Sequence, residues 1–179
     1  MIIGDIKDLS LGETLDCGQA FRWKENEDGS FTGVAFGRLV TFSLSGSELT
    51  IDGADEKDRT LWSDYFDLSL DYGSVRDELS LLHPTMREAA KYAPGIRILA
   101  QDPWEALCSF VISQNNNIPR IKLIINRLCE TFGEPVADGW YTFPSAEKIA
   151  ALEPDELAPI KAGFRSRYII DAARKTAGG

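Results

Sequence analysis

From Phe21 to Ile51 the chain alternates apolar and polar positions in short segments, Phe21–Trp23, Phe31–Phe36, Leu39–Leu44 and Glu48–Ile51. Turn-forming pairs separate them at Asp28-Gly29, Phe36-Gly37 and Ser45-Gly46, the pattern of an antiparallel meander with Val40, Phe42 and Leu44 on one face. A sheet with one apolar face needs a cover, and Leu61, Trp62, Tyr65 and Phe66 follow at helical spacing. Two more short helices are expected next. Ser74 is read as the cap of one, Thr85 to Glu88 as the capping box of another that stops before Pro94-Gly95.

Beyond Gly95 the strand signals nearly vanish and the apolar period lengthens to that of helices. Asp102-Pro103-Trp104-Glu105 supplies an N-cap, a first-position proline and a third-position glutamate, so a helix starts there, with Leu107, Phe110 and Val111 expected on its buried face. Ser113 to Asn117 interrupts it. A second helix then places Ile121, Ile124, Ile125, Leu128 and Phe132 on one face and ends at Gly133. Ser145 caps a third, with Ile149 and Leu152 inward; Pro154 restarts the helical run, which Gly163 is expected to close before a basic helix from Arg165 to Thr176. The fold class expected is therefore α+β, a sheet domain over residues 1–98 followed by helices over 99–179.

Composition narrows the chemistry. With 44% hydrophobic and 26% charged residues, 179 positions suit a folded chain without a membrane anchor, and no secretory leader is visible at Met1-Ile2-Ile3-Gly4-Asp5. An intracellular protein is expected, cytoplasmic in a prokaryote or nuclear in a eukaryote. Three cysteines, none in a C-x-x-C pair, read as reduced thiols, and the single histidine, His83, excludes a multi-histidine metal site and sits at a helix boundary before Pro84. No metal or cofactor is expected. The net charge of −9 opposes a general polyanion binder, but residues 161–175 hold five basic residues against Asp171 alone.

Two segments stand out within the helical half. Asn115-Asn116-Asn117 marks a loop whose amides either cap the flanking helices or read base edges. Gly163-Phe164-Arg165-Ser166-Arg167-Tyr168 alternates aromatics with arginines, which suits either a hydrophobic staple or an aromatic wedge beside an unstacked nucleic acid.

Taken with Leu15–Trp23 (LDCGQAFRW) and Gly95–Glu105 (GIRILAQDPWE), these segments resemble the 8-oxoguanine DNA glycosylases of the helix-hairpin-helix superfamily, in family order and across nearly the whole chain. The resemblance implies a TATA-binding-protein-like sheet domain, then a helical domain, and a monomer acting on double-stranded DNA that contains oxidised guanine. It also implies a bifunctional chemistry in which the damaged base is flipped out, a lysine assisted by an aspartate attacks C1′, and the abasic strand is cleaved through a Schiff base. By position, Gly18 offers its carbonyl to the N7 hydrogen that distinguishes 8-oxoguanine from guanine. Asn115, Arg120 and Arg165 hold the cytosine left behind, and Phe164 fills the gap in the stack where a tyrosine is more familiar. The Leu-Pro-Gly-x-Gly hairpin, the lysine and the aspartate of the family have no counterpart before Gly179. The expectation is an incomplete helical domain, no catalytic residue among those present, and no excision by this chain alone. A non-catalytic DNA-binding or interaction module and a glycosylase for alkylated bases are the alternatives.

Overall fold

The computed structural model describes residues 1–179. They form two compact units, one of Met1–Gln19, Trp23–Thr32 and Val40–Ala100, the other of Ala20–Arg22, Gly33–Leu39 and Gln101–Gly179. No helix is long and apolar enough to cross a membrane.

The meander forms a five-stranded sheet in the order β1-β5-β4-β3-β2: β1 Ile2–Ile3, β2 Trp23–Glu25, β3 Phe31–Ala35, β4 Arg38–Ser45 and β5 Glu48–Asp52. β1, too short to show a period, pairs antiparallel with β5, setting Ile2 opposite Thr50. β4 and β5 pair antiparallel with Phe42 opposite Ile51. The turn between β3 and β4 is formed by Phe36 (φ 50°) and Gly37 (φ 72°), two consecutive left-handed residues whose twist matches that of a hairpin.

Val40 and Phe42 are buried as the alternation requires, with Leu44 partly so. After a short α1 (Leu11–Leu15), helix α2 (Arg59–Tyr65) supplies the cover. Phe42 meets Trp62 edge-on at 5.3 Å and Phe66 at 4.9 Å, and Trp23 donates its indole N–H to the Tyr65 hydroxyl at 2.8 Å. These rings bury apolar area in the favoured tilted and edge-to-face geometries.

Helices α3 (Tyr72–Leu82) and α4 (Pro84–Tyr92) start earlier than expected. Asp71 rather than Ser74 caps α3, its carboxylate accepting from the Ser74 amide at 3.1 Å; a carboxylate suits the positive end of a helix. His83 caps α4 through Nδ1, which accepts from the Thr85 amide at 3.1 Å, so the lone histidine holds a helix boundary.

Arg97 closes this unit from inside. Its buried guanidinium donates to the carbonyls of Lys7, Asp8 and Asp67 and lies 4.4 Å from the centre of the Tyr72 ring. Burial lowers the affinity of that guanidinium for its proton, an effect opposed by Tyr72, Asp67 and Asp8. Nearby, Gly95 admits a close backbone approach: its carbonyl accepts from Ser10 N and Thr14 Oγ1, and a Cβ there would lie 2.6 Å from Ser10.

The second unit contains α5 (Pro103–Ser113), α6 (Ile118–Phe132), a hairpin of β6 (Pro135–Ala137) and β7 (Trp140–Tyr141), α7 (Ala146–Ala150), a 3-10 helix over Pro154–Ile160, and α8 (Arg165–Gly178). Asp102, Asn117 and Ser145 cap α5, α6 and α7. The 3-10 helix ends on Lys161 (φ 57°), two residues before the expected Gly163. Ile124, Ile125, Leu128 and Ile149 fill the core.

Two expectations fail here. On α5 the buried stripe is Trp104, Cys108 and Ile112, at spacings of four, whereas Leu107 is 42% and Phe110 65% exposed and Val111 is partly buried. Several residues around the helix are apolar, so periodicity alone does not select the core-facing side. Phe21 and Arg22 also lie outside the sheet. Phe21 packs with the helical core, and Arg22 pairs with Glu105 at 3.2 Å and donates to the Tyr141 carbonyl.

Candidate nucleic-acid interface

The loop between α5 and α6 divides its three asparagines by task. Asn117 caps α6, its side-chain oxygen accepting from the Arg120 amide at 3.0 Å. Asn116 donates to the Ile112 carbonyl at 3.0 Å and accepts from the Asn117 amide at 3.1 Å, closing α5. Those two perform the capping expected of asparagine at helix ends. Asn115 does not. It lies exposed at φ 49°, a left-handed conformation that asparagine tolerates better than most residues, and no hydrogen bond within the protein engages its side-chain amide. Arg120, on the first turn of α6, is exposed as well.

The second segment is the turn into α8. Lys161 and Gly163 both take positive φ, 57° and 64°; around Gly163 there is space for a Cβ, so its requirement is conformational rather than steric. The turn sets Phe164 at the start of α8 with its ring 59% exposed. Tyr168, one helical turn on, meets that ring edge-on at 6.2 Å. The buried-staple reading of Phe164 is therefore excluded.

Arg165 points the other way and is 4% exposed. Its Nε donates to the Gln114 carbonyl at 3.0 Å, and one terminal nitrogen donates to Gln114 O and Asn115 O at 2.6 and 2.8 Å. The other donates to Ala162 O at 3.3 Å, and the guanidinium carbon lies 4.6 Å from the centre of the Phe164 ring. The guanidinium is thus turned inward in this structure.

The basic run is only partly available. Arg174 is held by Ala150 O, Leu152 O and Glu153, and Lys175 pairs with Asp171, which leaves Lys161 and Arg167 exposed beside Phe164. Leu107, Phe110, Phe164 and Tyr168 line a groove of about 610 Å³ along α5 and α8.

Gly18 belongs to the other unit. It follows α1 at φ 92°, and its carbonyl accepts no hydrogen bond within the protein. The turn that carries it is clamped by Gln19, whose amide nitrogen donates to Thr14 O and Arg97 O at 2.8 Å each and whose oxygen accepts from Leu99 N at 3.0 Å. The sequence motif contained Gln19, but its bridging role depends on Arg97 and Leu99, about eighty residues away, and no local pattern reports such a distant partner.

None of the eight lysines is buried, and four of them, Lys57, Lys91, Lys148 and Lys175, form surface ion pairs. The Cys108 and Cys129 thiols are pushed up by burial, Cys129 to about 12, so both stay protonated and unreactive.

Comparison with known proteins places these features in context. The family model for the N-terminal domain of 8-oxoguanine DNA glycosylase matches residues 1–107, and that of the HhH-GPD superfamily of base excision DNA repair proteins matches residues 108–178. An N-glycosylase/DNA lyase of Saccharomyces cerevisiae is 33% identical over 188 aligned positions, covering 94% of this chain and 50% of the yeast protein. Its Arabidopsis thaliana counterpart is 26% identical, again with 50% of that protein covered. The chain therefore spans about half the length of these relatives. Among solved structures, MBOgg1 in complex with a low-affinity DNA ligand superimposes with a TM-score of 0.95 at 47% identity, over 99% of this chain and 63% of that one. The 8-oxoguanine glycosylase/lyase of Clostridium acetobutylicum, in complex with double-stranded DNA containing cytosine opposite 8-oxoguanine, gives 0.93 at 37% identity, over 99% and 62%.

Proposed function

The chain belongs to the 8-oxoguanine DNA glycosylase family of the helix-hairpin-helix superfamily, and from that premise we propose that its residues supply the lesion reader and the opposite-strand edge of a base-excision enzyme that removes 8-oxoguanine paired with cytosine and then cleaves the abasic strand. The observation that carries this reading is that one helical unit presents both an exposed Asn115, whose side-chain amide has no partner, and an outward Phe164. Arg120 stands on the first turn beyond that loop. Asn115 and Arg120 offer donors and an acceptor to the edge of an orphaned cytosine, and Phe164 replaces the extruded base in the stack. The Gly18 carbonyl, free of internal donors, accepts the N7 hydrogen present on 8-oxoguanine and absent from guanine.

The 179 residues by themselves bind DNA without cutting it. A Schiff-base step needs a deprotonated lysine aimed at C1′, and none of the eight lysines present is buried in a site that would hold one so. With Arg120, Lys161 and Arg167 as the exposed cations at this edge and a net charge of −9, binding is weak and falls steeply with salt. The test is borohydride trapping on duplex DNA with 8-oxoguanine opposite cytosine, alongside fluorescence anisotropy at two salt concentrations. Salt-sensitive binding without trapping is expected. Robust trapping at one lysine would show that the nucleophile is present, and the absence of any DNA binding would favour a protein-interaction module.

A further inference from the structure

We propose that Thr14 is a positioning residue for lesion discrimination, its buried hydroxyl seating the Gly18 turn on the 95–99 segment so that the Gly18 carbonyl is held in one place.

The 95–99 segment lies outside helix and sheet, and at every second residue its backbone polar groups are met by side chains from α1 and the turn beyond it. The Gly95 amide donates to the Glu13 carboxylate at 2.7 Å, and the Leu99 amide donates to the Gln19 side-chain oxygen at 3.0 Å. Between these two, the Thr14 hydroxyl donates to the Gly95 carbonyl at 3.1 Å and accepts from the Arg97 amide at 3.2 Å. The side-chain nitrogen of Gln19 then joins the Arg97 carbonyl to the Thr14 carbonyl. A closed ring results, running from the Thr14 hydroxyl through Arg97 to Gln19 and back to the Thr14 carbonyl. Gly18 lies on the main chain spanned by its two side-chain members.

Thr14 is the fully buried one of the two. A buried hydroxyl without partners would carry the full cost of leaving water, so both of its bonds count. Helix α1 has only five residues, Gly12 and Thr14 among them, and so short a run of poor helix formers does not hold itself in place. A helical threonine often spends its hydroxyl on the carbonyl four residues back. Here it reaches residues 81 and 83 positions further on instead.

Because Thr14 has no exposed surface, an effect of its hydroxyl on base choice is not a lost contact with DNA and must pass through the turn. The consequence for recognition rests on the reading of Gly18 as acceptor of the N7 hydrogen; the ring itself does not.

Amide hydrogen exchange on the whole chain without DNA tests the ring. Thr14→Val keeps the shape and removes the hydroxyl, Thr14→Ser restores the hydroxyl, and Thr41→Val removes a hydroxyl from the Thr32–Thr41 pair on the sheet of the same unit. The deciding amide is that of Leu99, which bonds to Gln19 and not to Thr14. It is expected to exchange roughly tenfold faster in Thr14→Val and at the parental rate in the other two variants. An unchanged Leu99 amide in Thr14→Val overturns the proposal. Equal acceleration in Thr14→Ser or in Thr41→Val does so too, since packing or overall stability would then be the cause, and so does failure of Thr14→Val to fold. In the full-length enzyme, the ratio of affinities for duplexes carrying 8-oxoguanine or guanine opposite cytosine is expected to fall about fivefold in Thr14→Val, with guanine-duplex affinity unchanged and the ratio restored by Thr14→Ser. An unaltered ratio, or an equal loss on both duplexes, overturns the positioning role. If the parent itself shows no preference, the Gly18 reading fails and the positioning role with it, while the Leu99 exchange still decides the ring.

Discussion

Phe164 and Arg165 are adjacent in sequence and opposite in exposure, the ring standing outward while the guanidinium lies 4.6 Å from its centre on the inner side. The turn at Gly163 therefore produces an aromatic projection braced from within, which is the arrangement a wedge requires if it is not to fold back when it meets stacked bases.

Phe164→Ala follows from this geometry. A ring already more than half exposed contributes little to folding, so the variant is expected to melt within about 0.5 kcal/mol of the parent. In the full-length enzyme the same change should remove about 1–3 kcal/mol of DNA interaction and reduce base extrusion, read by a fluorescent base analogue beside the lesion. A large fall in melting temperature would return Phe164 to a structural role.

Arg120→Ala separates reading from gripping. A lost base-edge contact should cost about 1–3 kcal/mol of preference for cytosine opposite the lesion, with excision opposite other bases little affected. Single-turnover excision opposite cytosine and opposite adenine gives the comparison. An equal loss in both would mark Arg120 as a phosphate contact.

Gln19→Leu tests the clamp on the turn that carries Gly18. The change strands two carbonyls and one amide, at a cost of about 1 kcal/mol or more for each lost hydrogen bond. Urea denaturation should report a loss of about 2–4 kcal/mol on that basis. In the full-length enzyme, discrimination of 8-oxoguanine from guanine should fall further than binding to an abasic duplex, because on the proposed reading the clamp positions the Gly18 carbonyl that meets the N7 hydrogen of the damaged base.

Glu105 gives a pH dependence with a definite sign. Burial raises its carboxyl above the ordinary 4.5, against the opposing pull of Arg22, so the folded protein holds the proton more tightly than the unfolded chain. Such a group stabilises the fold increasingly as pH falls through its raised folded value toward 4.5. Relative to Glu105→Gln, the parent should therefore gain stability in urea titrations as pH is lowered from neutrality toward 4.5. The reverse trend would mean that the attraction of Arg22 outweighs burial.

The alternation around Phe42 and the spacing around Trp62 made the sheet and its cover legible, because a face buried along its whole length imposes a period on the sequence. The α6 stripe was legible for the same reason. The outward side of α5 was not, since Leu107 and Phe110 are as apolar as the core-facing positions. Nor was the β6–β7 hairpin, whose strands of three and two residues are too short to carry a period. At the candidate interface, the sequence placed Asn115, Arg120 and Phe164 in two promising segments but could not show which asparagines cap the helix ends and which leaves its side-chain amide without a partner. That division depends on which carbonyls and amides the helix ends leave unpaired. The inward turn of Arg165 was equally invisible, because arginine beside an aromatic reads as a surface cation until its carbonyl partners are known.

The buried guanidinium of Arg97 has a kinetic consequence. Its partners at Lys7, Asp8 and Asp67 lie 90, 89 and 30 residues back along the chain. During synthesis the sheet and its covering helix can assemble while those carbonyls still await their donor, and closure must bring together nearly the full span of the first unit. Contacts of such long sequence separation form late and slowly. The N-terminal unit should therefore pass from a protease-sensitive state to a resistant one only after the segment around Arg97 has emerged from the ribosome, however early its strands have paired.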